Sequence, residues 1–188
     1  MIEVELKARV ADPGRVEAAI LAFAEPARNF EKEDAYWHGP GWRIHRGQKG
    51  FRIRRDGDEA VVTFKDKRSE GGIEINRERE FTVSDPATFA EFAERMGCEP
   101  FFTKSKRGRS FEIRRAGARP LLLELCEVAG LGWFLEIVAL VEEGDPAGVA
   151  LARGEIRSLL AKAGLGESDI EPRYYSELLL AAGLRAPD

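Results

Sequence analysis

Met1-Ile2-Glu3-Val4-Glu5-Leu6-Lys7-Ala8-Arg9-Val10 decides the reading of this chain. Side chains along a strand alternate between two faces with a period of two. Glu3, Glu5, Lys7 and Arg9 therefore share one face, and Ile2, Val4, Leu6, Ala8 and Val10 the other. The same division recurs along the chain. Arg52 and Arg54 share a face, with Phe51, Ile53 and Arg55 opposite. Thr63, Lys65 and Lys67 oppose Val62 and Phe64. Glu74, Asn76, Glu78 and Glu80 oppose Arg77 and Arg79. Lys104 pairs in parity with Lys106, and Glu136 sits between Leu135 and Ile137.

Alternation alone suits a half-exposed sheet equally well, with charges in water and apolar faces on a core. Two features favour the reverse arrangement. The helices are amphipathic and need an apolar sheet face to cover. The charged faces also mix several cations with a few carboxylates, which suits a polyanion held together with Mg²⁺ or Mn²⁺.

Turn and cap signals give the order of elements. Asp12-Pro13, Asp85-Pro86 and Asp145-Pro146 each read as an N-cap with proline at the first helical position. The first helix carries Val16, Ala19, Ile20 and Phe23 and ends by Pro26. The second carries Phe89, Phe92, Ala93 and Met96 and closes at Gly97. The third carries Val149, Ile156, Leu159 and Leu160 and ends at Gly164. A strand is expected over residues 30–40, with a turn at Gly39-Pro40-Gly41. Residues 51–55 and 60–67 read as a hairpin about Asp56-Gly57-Asp58. Residues 69–72 read as a loop, 73–83 as a long strand, and 101–106 with 110–114 as a hairpin around Gly108. Residues 120–128 and 133–141 flank a turn, and a short helix closes residues 174–182. About eight strands, nearly all able to pair antiparallel, predict an α+β fold: a closed or nearly closed eight-stranded barrel with helices outside. Nothing divides residues 1–188, so one domain is expected.

A net charge of −4 argues against nucleic acid as partner, although residues 43–55 and 104–115 are strongly basic. Two cysteines, Cys98 and Cys126, make no disulfide framework and no metal cluster. No apolar run spans a bilayer and no signal peptide is visible, so a cytoplasmic protein is expected. His38 and His45 flank a turn and are expected to face solvent. Arg107 and Arg109 read as a solvated hairpin tip. Tyr174 and Tyr175 are expected to dock the last helix, and Trp133 to pack. Cys126 reads as a small buried side chain.

In order along the chain, these segments resemble the CYTH superfamily, the triphosphate tunnel metalloenzymes, and its class IV adenylate cyclase-like branch. Glu3-x-Glu5-x-Lys7 is similar to its N-terminal signature. Asp34-Ala35-Tyr36-Trp37 with Pro40, Phe51-Arg52-Ile53-Arg54, Val62-Thr63-Phe64-Lys65, Arg77-Glu78-Arg79-Glu80 and Lys104-Ser105-Lys106-Arg107 are similar to later strands. The run from Glu127 to Ile137 (EVAGLGWFLEI) resembles the family's Glu-Val-x-Gly-Leu-Gly segment, and Tyr175-Ser176-Glu177-Leu178-Leu179 its last helix.

The resemblance implies that Glu3, Glu5 and Glu136, with Glu78 or Glu80, hold Mg²⁺ or Mn²⁺. It implies that Lys7, Arg9, Arg52, Arg54, Lys65, Lys104 and Lys106 bind the phosphates, with Lys7 and Arg54 acting in catalysis. The first expectation is cyclisation of ATP to cyclic AMP and pyrophosphate. The alternatives are hydrolysis of tripolyphosphate, thiamine triphosphate or a nucleoside triphosphate (RNA 5′-triphosphate ends included), and a non-catalytic triphosphate- or polyphosphate-binding module. The last is motivated by Cys126 and Val138, which stand where the family usually has carboxylates. Glu124, of the same parity as Cys126, could substitute. The resemblance also allows a homodimer.

Overall fold

The computed structural model describes residues 1–40, 50–115 and 118–183. The expected turn residue Gly41, the basic run over 43–49 and His45 lie outside the described residues. The elements run β1 (Ile2–Val10), α1 (Pro13–Ile20), β2 (Glu25–His38), β3 (Gly50–Asp56), β4 (Glu59–Glu70), β5 (Ile73–Thr82) and α2 (Pro86–Arg95). After these come β6 (Glu99–Arg115), β7 (Ala118–Val128), β8 (Gly132–Val141), α3 (Pro146–Lys162), a 3₁₀ turn (Glu167–Asp169) and α4 (Tyr175–Ala181).

The eight strands close into an antiparallel barrel in the order β1-β5-β4-β3-β2-β6-β7-β8. β1 is the closing stave: Glu5 stands opposite Glu74 on β5 and opposite Val138 on β8. The parity expected from sequence is kept, with apolar faces outward. Val4, Leu6, Ile73, Phe111, Leu123 and Ile137 are buried under α1 and α3, whose Val16, Ile20, Ile156 and Leu160 complete that core. Ile53 and Val62 meet Phe89 and Ala93 of α2. A smaller cluster lies on the inward face, where Leu178 of α4 packs on Phe30, Cys126, Val128 and Phe134. Burying the outer faces under helices releases the inner faces to carry charge.

Asp12, Asp85 and Asp145 cap α1, α2 and α3 by accepting backbone N–H bonds, each followed by its proline. Four local expectations need correction. α1 stops at Ile20, and Pro26 lies inside β2, beside a register shift. The loop over 69–72 shrinks to Gly71-Gly72, both at positive φ (59° and 75°), which lets β4 and β5 join by a two-residue turn. Phe92 on α2 and Met96 at its C-terminal cap are 56% and 60% exposed, because the helix meets β3 and β4 through Phe89, Ala90 and Ala93.

Gly108 is no turn. β6 runs straight through it, and a Cβ there would lie 2.1 Å from the Leu125 carbonyl oxygen and 2.7 Å from Cys126 Cα. The glycine serves the close approach of β6 to β7. Arg107 and Arg109, expected at a tip, are therefore mid-strand, paired at the outer surface with Glu127 and Glu17. No helix among the described residues is long and apolar enough to cross a membrane.

Candidate active site

The inward faces enclose a cavity of ≈ 240 Å³. Eleven of the twelve residues expected at the site line it: Glu3, Glu5, Lys7, Arg52, Arg54, Lys65, Glu78, Glu80, Lys104, Lys106 and Glu136. Arg9 does not. Its side chain leaves the barrel end to donate to Glu171 at 2.9 Å, and its guanidinium lies 5.1 Å from the Phe134 ring centre.

Two ion networks organise the walls. In the first, Asp34 accepts from Arg54 Nε (2.6 Å) and its terminal nitrogen (2.9 Å), with Lys104 at 3.0 Å and Arg52 at 3.9 Å. Burial alone would raise the Asp34 carboxyl, but Lys104, Arg54 and Arg52 outweigh it and hold the group well below its ordinary range. In the second, Lys106 donates to Glu124 and Glu136, each at 2.6 Å, and Lys32 also donates to Glu124. Burial works against the Lys106 charge, yet the two carboxylates keep it well above the ordinary lysine value. Tyr175 Oη donates to Glu136 at 2.6 Å, and Lys7 and Lys104 lie 4.8 and 4.5 Å from the Tyr175 ring centre. At the rim, Arg52 donates to Thr63, which donates to the half-exposed Glu80.

The carboxylates at the start of β1 behave differently. Glu3 is pushed up to about 8, first by burial and then by Glu78, to which it is hydrogen-bonded. Glu5 is pushed up to about 7 by burial and by Glu136 and Glu74. Carboxyls crowded this way are short of positive charge. Their hard oxygens match Mg²⁺ or Mn²⁺, and Mg²⁺ commonly takes only one or two carboxylates, completing its shell with water and substrate phosphate. Among the described residues no group of three or more His, Cys, Asp or Glu stands arranged to hold a metal ion. The donor set fits a cation that arrives with a phosphate chain, rather than an all-protein cage.

The CYTH domain model matches residues 1–175. The chain belongs to the CYTH superfamily. CYTH members are phosphohydrolases and lyases, so enzymatic activity of that broad kind holds here, and divalent metals are typical of them. Among solved structures, a conserved hypothetical protein of Pyrococcus furiosus is 28% identical, with 94% of this chain and 99% of that chain covered and a TM-score of 0.76. The PH1012 protein of Pyrococcus horikoshii OT3 is 27% identical, with coverage of 94% and 98% and a TM-score of 0.76. A Hippeastrum protein, HpAC1, is 15% identical over 98% of both chains with a TM-score of 0.58; it is described as having a dominant triphosphatase activity. No curated protein matches the chain.

Several residues of this CYTH tunnel escaped the expected set. Lys67 and Glu74 line the cavity, as their parity with Lys65 and Glu78 signals. Glu124 also lines it, whereas Cys126 is fully buried among Phe30, Val128 and Phe134, its thiol pushed up to about 12 by burial and by Glu136. Val138 and Leu122 give the wall an apolar spot beside Glu5. Tyr175 both docks α4 and reaches the cavity, which no local pattern announces. His38, expected in solvent, is buried against Phe101 with ring centres 4.0 Å apart.

Proposed function

We propose that this CYTH domain hydrolyses a triphosphate with Mg²⁺ or Mn²⁺. The observation that carries the reading is the match of the enclosed space to a bare phosphate chain. Its walls hold Lys7, Arg52, Arg54, Lys65, Lys67, Lys104 and Lys106, but its ≈ 240 Å³ is below the roughly 300–1,000 Å³ of pockets that bury drug-sized ligands. Hydrolysis needs only the phosphate chain and water inside. Cyclisation needs a nucleoside folded back onto its own α-phosphate.

Arg52 and Arg54 present forks to phosphate oxygens, and the lysines present point charges. Lys7 and Arg54, held in place by Glu74 and Asp34, stabilise the charge on the transferring group, which is where catalysis of phosphoryl transfer mostly lies. A cation held by Glu3 and Glu5, with Glu78, would neutralise phosphate charge and make bound water more acidic.

A cyclase is the second reading. It is favoured by a neighbouring cavity of ≈ 100 Å³ lined by Trp37, Phe51, Phe101 and Phe102, where a base could stack. Anion-exchange analysis of products from tripolyphosphate and from ATP, each with Mg²⁺ or Mn²⁺, separates the readings. Orthophosphate from both, without cyclic nucleotide, is expected. Cyclic AMP plus pyrophosphate would establish the cyclase, and binding without turnover would leave a binding module.

A further inference from the structure

Among the described residues, Asp34 is the one carboxylate of the barrel interior that meets three of the proposed phosphate-binding cations, and it does not line the main cavity. Its side chain is fully buried, behind Arg54 and Lys104. Both oxygens are engaged: Oδ1 accepts from Arg54 Nε at 2.6 Å, and Oδ2 accepts from the Arg54 terminal nitrogen at 2.9 Å and faces Lys104 at 3.0 Å. The Tyr36 hydroxyl lies 3.4 Å from Oδ2. These partners come from separate strands, Arg54 from β3 and Lys104 from β6, each directly opposite Asp34 in register. A buried carboxylate so placed fixes a guanidinium plane and an ammonium position at once.

We propose that Asp34 is a positioning residue that holds Arg52, Arg54 and Lys104 as a preformed cradle for one phosphoryl group. The proposal rests on the reading of the tunnel as a triphosphate site. The cradle is set before substrate enters, so substrate binding does not have to order those long side chains. A buried anion next to phosphate-binding cations could have the opposite effect, by competing with phosphate for the same donors. The two roles predict opposite signs, which makes the test sharp.

Tripolyphosphate with Mg²⁺ is the probe, read by calorimetric binding and by steady-state hydrolysis with the full chain. For Asp34→Asn, of equal size but uncharged, the expected result is at least tenfold weaker binding, with KM rising more than kcat falls. Arg54→Lys, which keeps the charge and loses the fork, is expected to show a comparable loss. The double variant is expected to be no worse than Asp34→Asn alone, since the contribution of the Arg54 fork depends on Asp34 holding it. Unchanged or tighter binding by Asp34→Asn, or losses that multiply in the double variant, would overturn the proposal. Should Asp34→Asn fail to fold, Asp34→Glu decides: the carboxylate is kept but displaced by one methylene, so weakened binding at an unchanged melting temperature supports positioning, and wild-type binding overturns it. Wild-type protein that neither binds nor hydrolyses tripolyphosphate would instead remove the functional reading, and this proposal with it.

Discussion

At the scale of single residues, parity does most of the work and contact chemistry the rest. Gly108 shows the difference. Its missing Cβ leaves room for the Leu125 carbonyl and Cys126 (2.1 Å and 2.7 Å from where a Cβ would stand), and both obstacles are backbone. Gly108→Ala is expected to destabilise the fold by about 3 kcal/mol or more, because β6 and β7 must separate. Chemical denaturation checks this; a loss within about 0.5 kcal/mol would show that the strands part freely. In sequence this glycine reads as a turn, since glycine punctuates chains locally, whereas a close approach is set by a strand that arrives later. Asp34 is a similar case. Its face follows from alternation, but which inward carboxylate stands behind the cations depends on β3 and β6 both lying opposite it.

At the scale of elements, three capped helices and every strand but the long β6, which reads as a hairpin, were legible because their signals are local: Asp-Pro pairs, alternating faces and the turn residues Asp56-Gly57-Asp58. α4 was legible only as a helix. It is seven residues long, and its hold on the barrel rests on Leu178 in the inward apolar cluster and on Tyr175. Tyr175→Phe keeps the ring contact with Phe134 (centres 5.2 Å apart) and deletes the 2.6 Å hydrogen bond to Glu136. Removing that bond to a buried carboxylate is expected to cost roughly 1–3 kcal/mol. A thermal melt and the rate of tripolyphosphate hydrolysis should both fall. An unchanged melt would mean that Lys106 alone satisfies Glu136.

At the scale of the whole molecule, closing a sheet around charge makes stability depend on pH. Glu3 and Glu5, at about 8 and about 7 in the fold, hold protons that the unfolded chain releases near the ordinary value of 4.5. Their contribution is complete below the unfolded value and is lost as pH rises through 7 and 8. Asp34, Glu78, Glu124 and Glu136 are shifted down, so they act below the ordinary carboxylate range and leave this window alone. Without added metal, the melting temperature is expected to fall between about pH 6.5 and pH 8.5; below the ordinary histidine value of 6.5, His38, whose ring burial holds below that value, works in the opposite direction. Mg²⁺ should reduce the fall, and Glu3→Gln, which cannot lose that proton, should also flatten it. A flat profile for the metal-free wild type would contradict the crowding of these carboxyls.

The closing stave has a consequence in time. β1 leaves the ribosome before both of its partners, β5 and β8, and β8 ends only at Val141. It must wait, with half its side chains apolar, until most of the chain exists. Contacts so far apart in sequence slow folding and lengthen the exposure of unpaired strands. The strand that carries Glu3, Glu5 and Lys7 is thus made well before its partners and seated late, so the tunnel cannot exist before the barrel is nearly complete.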